Sequence, residues 1–477
     1  MSKETREKKQ PTLLVSIIPV IITIALLSVS IIVYGADVHM PLIMGAIVAA
    51  VIAIFGLGYT WKEIEQGILD SIGGTMQAIL ILAIVGSLIG VWIAGGIVPT
   101  MIYYGLQILS PTFFLVASVV LCSIVSLATG SSWTTAGTVG VALVGVASGL
   151  GISVPLAAGA IISGAYFGDK MSPMSDTTNL APAMAGAELF DHIKHMFYTT
   201  SVSYGITLVI FFILGFRYAG SELDTTAING ILDAISSVYT INPLLMLVPL
   251  IVIVLVAMKI PAIPGLIVGV ILGALCTVYQ GGDFGAILDA LQYGVVTETG
   301  HEMVDDLLTR GGLQSMMWTI SLIMCALTFG GVLEKTGMME VIANKLLKFA
   351  KSTGSLILIT AVTGMFVNVL CGDQYLAIAL PGKMYKNTYH DRGLAPRNLS
   401  RVLEDSGTVT SALVPWNTCG ATMSTFLGVP TLAYLPYAFF NILSPIITVT
   451  FGFLGITILK LENDPSSPEY IGTKKSR

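Results

Sequence analysis

Long apolar runs that do not alternate with polar residues dominate the chain. Residues 71–168 form 98 consecutive positions without Asp, Glu, Lys, Arg or His, and residues 406–459 form 54 without Asp, Glu, Lys or Arg. A helix needs about 20 apolar residues to cross a bilayer, whereas transmembrane strands would alternate apolar and polar residues in segments of about ten. Backbone polar groups in lipid must also be paired within their own segment. The pattern therefore predicts an all-α polytopic membrane protein.

The predicted membrane segments fall into two sets, one in each half of the chain. The first set is 12–34, 39–58, 72–95, 112–129, 134–150, 153–167 and 196–216; the second is 243–258, 262–279, 312–332, 354–371, 374–388, 399–414 and 431–456. Several of these are short for a crossing that needs about 20 residues. We therefore expect re-entrant hairpins or broken helices at 134–150, 153–167, 374–388 and 399–414.

The composition narrows the class of protein further. Apolar residues make up 54% of the 477 residues and charged residues only 11%, against roughly 25% charged residues in soluble domains. This shortage excludes a soluble enzyme, a nucleic-acid-binding protein and a disordered scaffold. The five cysteines lie in or beside apolar segments without metal-ligand spacing, and we find no nucleotide-binding, zinc or serine-hydrolase motif. We therefore expect no cofactor, no transition metal and no enzymatic activity.

The basic residues predict the orientation of the chain. With the N-terminus placed in the cytoplasm, only Arg217 and Arg310 of the 23 Lys and Arg residues fall outside, where the loops 218–242 and 280–310 are acidic. Cytoplasmic loops of membrane proteins usually carry the excess of Lys and Arg. The sequence thus predicts a multi-pass protein with both termini in the cytoplasm.

The two halves of the chain share a weak internal repeat. Gly130 and Gly372 both interrupt apolar runs and lie 242 residues apart, and the same 242 residues separate Pro173 from Pro415. The first half starts inside and ends outside, so the second half runs the opposite way. We predict two inverted-topology repeats with re-entrant hairpins and broken helices, an arrangement typical of secondary transporters. The predicted segments are a cytoplasmic N-terminal segment 1–11, a first transmembrane repeat 12–217, an external linker 218–242, a second transmembrane repeat 243–458 and a cytoplasmic tail 459–477.

Polar residues within the apolar runs occur where Gly and Pro interrupt the predicted helices. One pair of interruptions covers 130–137 and 368–375, and the other covers 168–179 and 404–418. Small hard cations such as Na⁺ prefer oxygen ligands, and the broken helices of transporters provide them as carbonyls, hydroxyls and carboxylates. These four segments therefore predict a cation site where the two repeats meet.

Acidic residues in these segments are the first candidates for binding Na⁺ or H⁺, because a carboxylate at membrane depth is costly and indicates function by default. The alternatives for each acid are an interfacial position, helix capping, or pairing with Lys170 or Arg401. The ion- or proton-binding candidates are Asp176, Asp169, Asp373, Asp405 and Glu404, with Lys170 as the ion partner of a carboxylate. The candidate neutral oxygen ligands are Ser131, Ser132, Thr134, Thr135, Thr177, Thr178, Asn179, Asn368, Asn417 and Thr418.

The same motifs resemble the signature of a known transporter family. Residues 164–182 (GAYFGDKMSPMSDTTNLAP), 401–408 (RVLEDSGT) and 413–418 (LVPWNT) are similar to the NhaC family of Na⁺/H⁺ antiporters, and the resemblance covers about residues 12–458. It implies membership of an ion-transporter superfamily built on inverted repeats. It also implies exchange of external H⁺ for internal Na⁺ and a bacterial plasma membrane.

Two functional hypotheses follow. The first is a Na⁺/H⁺ antiporter in which a buried aspartate such as Asp176 holds either a proton or Na⁺. The second is a Na⁺-coupled organic-anion exchanger of the malate-H⁺/lactate-Na⁺ type, or a Na⁺-coupled amino-acid transporter. It stays open because proteins that resemble the NhaC family differ in substrate. The expected partners are Na⁺, H⁺, small carboxylates under the second hypothesis, membrane lipid and a second copy in a homodimer, with no nucleic acid. A membrane enzyme or receptor is disfavoured because the sequence has neither a nucleophile–base pair nor a soluble domain.

Overall fold

The computed structural model describes residues 8–218, 225–258 and 260–465, and its regular secondary structure there is helical. The α-helices are α1 (Leu13–Tyr34), α2 (His39–Val51), α3 (Trp61–Gly74), α4 (Met76–Ala94), α5 (Ile97–Ile108), α6 (Pro111–Thr129), α7 (Ser132–Thr135), α8 (Val141–Gly149), α9 (Val154–Met171), α10 (Asp176–Ala185), α11 (Leu189–Gly215), α12 (Thr225–Val238), α13 (Leu247–Ala257), α14 (Ala262–Tyr279), α15 (Phe284–Gln292), α16 (Glu302–Leu308), α17 (Leu313–Lys335), α18 (Met338–Leu347), α19 (Thr353–Cys371), α20 (Gln374–Asp391), α21 (Pro396–Val402), α22 (Thr418–Leu427), α23 (Thr431–Tyr434) and α24 (Phe439–Leu454). Three π-helical segments are Ile52–Gly56, Ala136–Gly140 and Leu403–Thr408, and the 3-10 segments are Phe216–Tyr218, Pro243–Met246, Ser411–Leu413, Leu435–Tyr437 and Leu461–Asn463.

The predicted all-helical membrane fold is confirmed. Among the described residues, eight helices are long and apolar enough to cross a membrane, or up to ten spans if each of two bent helix pairs counts as one. The predictions at 112–129, 262–279 and 354–371 agree with α6, α14 and α19 to within one residue. Apolar run length therefore predicted these helices well.

Other elements differ from the predicted segments because hydropathy does not report bends. The segment predicted at 72–95 is α4, and an amphipathic helix, α3, precedes it with Thr75 between them. The segment predicted at 431–456 bends by 57° between Thr431–Tyr437 and Phe439–Leu454. Helix α11 begins seven residues before the predicted 196, at Leu189, because polar residues in its first turns do not prevent helix formation.

Helix α3 is anchored at its start by a capping box. The Thr60 side chain accepts from the Glu63 backbone N–H, and Glu63 accepts from the Thr60 backbone N–H at 2.9 Å. Lys8 adds an ion pair to Glu63 at 2.7 Å. The hydrogen bonds from Lys8 and Thr60 lower the pKa of Glu63 to about 2.

Of the predicted N-terminal segment, residues 1–7 lie outside the described residues, as do 219–224 of the linker and 466–477 of the tail.

The internal repeat is visible in the bounds of the helices. Helix α6 spans 111–129 and α19 spans 353–371, a difference of 242 at both ends. The stretch from α7 to α8 covers 132–149 and α20 covers 374–391, again a difference of 242, and α10 (176–185) and α22 (418–427) differ by the same number. Gly130 and Gly372 end the first helix of each set at φ 69° and 65°, a left-handed conformation that favours glycine. The chain therefore folds the same local arrangement twice.

One hydrogen bond is repeated at equivalent positions in the two sets. Ser126 Oγ donates to the Ala165 carbonyl at 2.6 Å, and Asn368 Nδ2 donates to the Gly407 carbonyl at 2.6 Å. The donors and the acceptors are each 242 residues apart. In the first repeat this bond links α6 to α9, which carries Asp169 and Lys170. In the second repeat it links α19 to the π-helical segment that carries Glu404 and Asp405.

Close packing of α9 against α6 fixes the position of Asp169 and Lys170 at the end of α9. Gly168 faces α6 so closely that a Cβ atom there would lie 2.5 Å from the Leu127 nitrogen and the Ser123 carbonyl oxygen. Gly164, one turn earlier, meets Val119 in the same way. Small residues permit such backbone contact between membrane helices. This contact positions the next residues, Asp169 and Lys170.

Candidate cation site and buried charge cluster

A cavity of about 380 Å³ lies at the break between α9 and α10. We call it the cation cavity. Its polar lining comes from both repeats, and includes Thr129, Ser131, Trp133, Asp169, Ser175, Asp176, Thr177, Gln374 and Tyr375. Two of the predicted acids, Asp169 and Asp176, therefore share one cavity, as expected from their positions on either side of Pro173.

Asp169 is held in place by the start of α7. It is in the last turn of α9 and only 6% exposed. Its carboxylate accepts from the Ser132 backbone N–H at 3.1 Å and from the Ser132 hydroxyl at 2.6 Å. The turn at Gly130 directs Ser132 at this carboxylate. Ser132 is thus the partner of an acid rather than a lining residue of the cavity.

Asp176 is the first residue of α10, beyond the break at residues 172–175. Ser175 caps this helix by accepting from the Thr178 backbone N–H. Asp176 is solvent-exposed in the cavity, and no described residue donates a hydrogen bond to its carboxylate. Its oxygens are therefore free to bind a cation that enters the cavity.

Lys170 points away from the cavity and binds the second repeat. Its ammonium group pairs with Asp405 and donates to Thr200 Oγ1 at 2.7 Å. Asp405 also accepts from Thr199 Oγ1 at 2.8 Å and from Ser444 Oγ at 3.0 Å. Lys170 and Asp405 are both fully buried. The predicted ion partner thus has a carboxylate, and Asp405 is not available to a cation in this conformation.

Glu404 lies next to this pair, in the π-helical segment Leu403–Thr408. The side chain is fully buried, and neither carboxylate oxygen has a hydrogen-bond partner among the described residues. Glu404, Lys170 and Asp405 therefore form a buried charge cluster. Glu404 does not line the cation cavity.

Asp373 caps a helix instead of joining Asp169 and Asp176. Its carboxylate accepts from the backbone N–H groups of Tyr375 and Leu376 at 2.9 and 3.0 Å and from the Thr75 hydroxyl at 3.1 Å. It lines a second cavity of about 410 Å³, together with Asp70, Ser71, Glu334 and Lys335. Tyr375 lines both cavities.

Some neutral candidates line the cation cavity and others make structural contacts, and Ser131 does both. Ser131 and Thr177 line the cation cavity. The structural contacts are those of Ser131 with the Thr134 N–H (3.1 Å), Thr135 with the Ser131 carbonyl (2.9 Å), Thr178 with the Lys170 carbonyl (3.0 Å), Asn179 with the Pro173 carbonyl (2.9 Å), Asn417 with the Asn368 side-chain oxygen (3.0 Å) and the Thr418 N–H with the Gly372 carbonyl (2.8 Å). Roles for all these residues in ion binding stay predictions.

Several polar residues of the site were not predicted from the sequence. Gln374 Oε1 and Trp133 Nε1 are buried without a hydrogen-bond partner among the described residues, and both residues line the cation cavity. Thr199 and Thr200 bind the Lys170–Asp405 pair. A Thr-Thr pair within an apolar helix was a visible signal, but neither threonine lies near a helix break.

The described residues contain no group of three or more His, Cys, Asp or Glu side chains that could hold a metal ion. A cation beside Asp169 and Asp176 would therefore complete its coordination with hydroxyl, amide or backbone oxygens or with water. This donor set suits a weakly held alkali cation that must also leave.

Comparison with known proteins gives these motifs a family. Residues 164–456 match the model of the Na⁺/H⁺ antiporter family. The chain is 43% identical over 441 residues to the Na⁺/H⁺ antiporter NhaC of Alkalihalophilus pseudofirmus, covering 92% of this chain and 95% of that protein. It is 40% identical to the arginine/ornithine antiporter ArcD of Halobacterium salinarum, covering 97% and 96%. It is 36% identical to the malate-2H⁺/Na⁺-lactate antiporter of Bacillus subtilis, covering 98% and 100%.

Proposed function

Because the chain belongs to the Na⁺/H⁺ antiporter family, as its motifs predicted, we propose that it exports Na⁺ in exchange for H⁺ across a bacterial plasma membrane. The observation that supports this most is the cation cavity, which Asp169 and Asp176 both line at a helix break inside an apolar fold. Broken helices that supply oxygen ligands at membrane depth are typical of ion-coupled transporters. We expect transport and no catalysis.

In the proposed mechanism Na⁺ binds in the cation cavity between the two aspartates. Asp176 provides a carboxylate that accepts no hydrogen bond from a described residue, and Asp169 provides a second negative charge held by Ser132. Ser131 and Thr177 also line this cavity. Because an opposite charge favours the ionised form of a carboxylate, Na⁺ binding favours release of protons from the acids around it.

Substitution of Asp176 by Asn tests the Na⁺ site. The amide keeps the shape of the side chain but removes the charge, so Na⁺-dependent pH change in proteoliposomes should be lost, as should ²²Na⁺ exchange. Asp233→Asn, at an exposed position of α12, serves as the control and should leave both activities unchanged. Normal Na⁺ exchange in the folded D176N protein would contradict the assignment.

The volume of the cation cavity favours one alternative function, coupled transport of an organic solute. Its volume of about 380 Å³ falls within the range of about 300–1,000 Å³ of small-molecule sites and exceeds what one Na⁺ requires. The relatives named for arginine/ornithine and malate/lactate exchange are compatible with this alternative. Uptake of labelled arginine, malate and lactate, with and without a Na⁺ gradient, separates the two functions.

A further inference from the structure

Glu404 differs from the other buried candidate acids because its carboxylate has no hydrogen-bond partner in the part of the chain that the structure describes. Asp169 accepts hydrogen bonds from the start of α7, Asp373 caps α20 and Asp405 pairs with Lys170. Glu404 is equally buried, yet neither of its oxygens accepts a hydrogen bond from a described residue, and the nearby Thr408 hydroxyl, which is also buried, makes none either. An ionised carboxylate without a partner is strongly unfavourable in such surroundings. The contacts therefore suit a neutral carboxylic acid.

Charged groups of both signs surround Glu404. Lys170 and Asp169, both on α9, are close enough to interact electrostatically with the Glu404 carboxyl group, and Asp405 is adjacent to it in the chain. Arg401, one turn earlier, is buried and donates to Thr457 Oγ1 at 2.8 Å. The neighbouring charges thus include Asp169, one of the two acids that line the cation cavity.

The other elements packed on the π-helical segment differ in the titratable groups that they carry. Helices α19 and α24 carry no Asp, Glu, Lys, Arg or His. On α20, the hydroxyls of Tyr385 and Tyr389 are hydrogen-bonded to Thr363 and Thr360 at 2.7 and 3.1 Å. The other titratable residues of this helix are Tyr375, Lys383, Lys386, His390 and Asp391.

Four further charged or titratable groups lie on α10, α11 and α21. On α10, Asp176 is directed into the cavity. On α11, His192 and His195 lie near Lys170 and Arg401, respectively. Arg397, on α21, pairs with Asp191.

The π-helical geometry is itself a departure from the internal repeat. The counterpart of Leu403–Thr408 is 161–166, which is regular α-helix within α9, and the counterpart of Glu404 is Ile162. Single π-helical turns within α-helices occur frequently at functional sites. Both the irregular turn and the acid are therefore specific to the second repeat.

We propose that Glu404 carries the transported proton, at a position separate from the Na⁺ site in the cation cavity. This inference rests on the proposed antiport function. When Na⁺ enters beside Asp169, the Glu404 carboxylic acid releases its proton to water and becomes a carboxylate. When Na⁺ leaves, the carboxylate takes up a proton again. The only bond that breaks and forms is the O–H bond.

The coupling between the two positions is electrostatic and passes through the Lys170–Asp405 pair. Cation binding reduces the negative charge at Asp169, which otherwise disfavours a second negative charge at Glu404. Lys170 follows Asp169 directly in the chain and is paired with Asp405, the residue after Glu404. The pair therefore joins the acid of the Na⁺ site to the proton-carrying acid across the two repeats.

The test uses the full chain in proteoliposomes and separates Na⁺ movement from proton movement. Glu404→Gln replaces the acid by a neutral side chain of the same shape. We expect E404Q to retain ²²Na⁺/Na⁺ exchange and to lose the Na⁺-driven change in internal pH. D176N, by contrast, should lose both. Glu404→Asp keeps a titratable group and should retain coupled exchange with a displaced pH profile.

Either of two other results for E404Q would overturn the proposal. Normal Na⁺-driven pH change would make Glu404 a structural acid, and loss of ²²Na⁺ exchange in folded protein would place it in the Na⁺ site. Should E404Q fail to fold, Na⁺-induced infrared difference spectra of the wild type and E404D decide. A protonated-carboxyl band that disappears on Na⁺ addition and shifts in E404D supports the proposal, whereas a band unchanged by the substitution contradicts it. Failure of the antiport function itself would appear as absent ²²Na⁺ exchange in the wild type.

Discussion

At the scale of single residues, two neighbours in the chain divide their roles between the repeats. Successive residues of a helix point about 100° apart, so Asp169 lines the cation cavity while Lys170 reaches Asp405 in the second repeat. The sequence predicted a carboxylate partner for Lys170. Which acid it would be depended on the packing of α9 against the second repeat, which the spacing along the chain does not contain.

The Lys170–Asp405 pair predicts a large effect of removing one charge. Lys170→Met leaves Asp405 buried and uncompensated, which should cost about 3–5 kcal/mol of stability. The thermal unfolding temperature in detergent should therefore fall, and adding Asp405→Asn should restore part of it. Lys335→Met, which breaks a partly exposed pair with Asp70 at 3.7 Å, should have little effect. An unfolding temperature that is unchanged in K170M would argue against a buried ion pair.

At the scale of helices, close contacts at two glycines of α9 decide where Asp169 lies. Helix α9 approaches α6 at Gly164 and Gly168, directly before Asp169. The sequence showed these glycines in an apolar run, which predicts helix packing in general. It did not reveal that α6 would be the neighbour, because many apolar surfaces in this chain are chemically alike.

This contact predicts that even one methyl group will displace α9. Gly168→Ala would place Cβ 2.5 Å from backbone atoms of α6, and overpacking of this kind typically costs about 1–3 kcal/mol. Both the unfolding temperature and Na⁺ exchange should fall. Gly205→Ala, on α11, meets nothing within 4 Å and should be neutral or stabilising. Equal behaviour of the two variants would refute the contact.

At the scale of the whole molecule, the site depends on the two repeats together. Gln374 and Tyr375 of the second repeat complete a cavity whose acids come from the first. The matching bounds of α6 and α19 show that each repeat builds the same local arrangement. The orientation of the repeats in the membrane rests on the distribution of Lys and Arg and stays a prediction.

Cysteine labelling tests that orientation. In a variant with the five native cysteines replaced, Glu298→Cys lies in the predicted outer loop and Lys351→Cys in a predicted inner loop, and both side chains are exposed. A membrane-impermeant maleimide added to intact cells should label position 298 and leave position 351 unlabelled until the membrane is opened. The reverse pattern would invert the proposed topology.

The sequence by itself determined the class of protein, the main helices, the repeat and the family. These depend on local properties, since run length, missing charge and short motifs are readable without knowing which helix meets which. Asp169 and Asp176 could be predicted as one group because a single helix break contains both. The tertiary structure alone decided that Asp405 pairs with Lys170, that Asp373 caps α20 and that Glu404 has no hydrogen-bond partner among the described residues. Those outcomes depend on contacts between residues more than 200 positions apart or on the exact start of a helix, and neither follows from apolar periodicity.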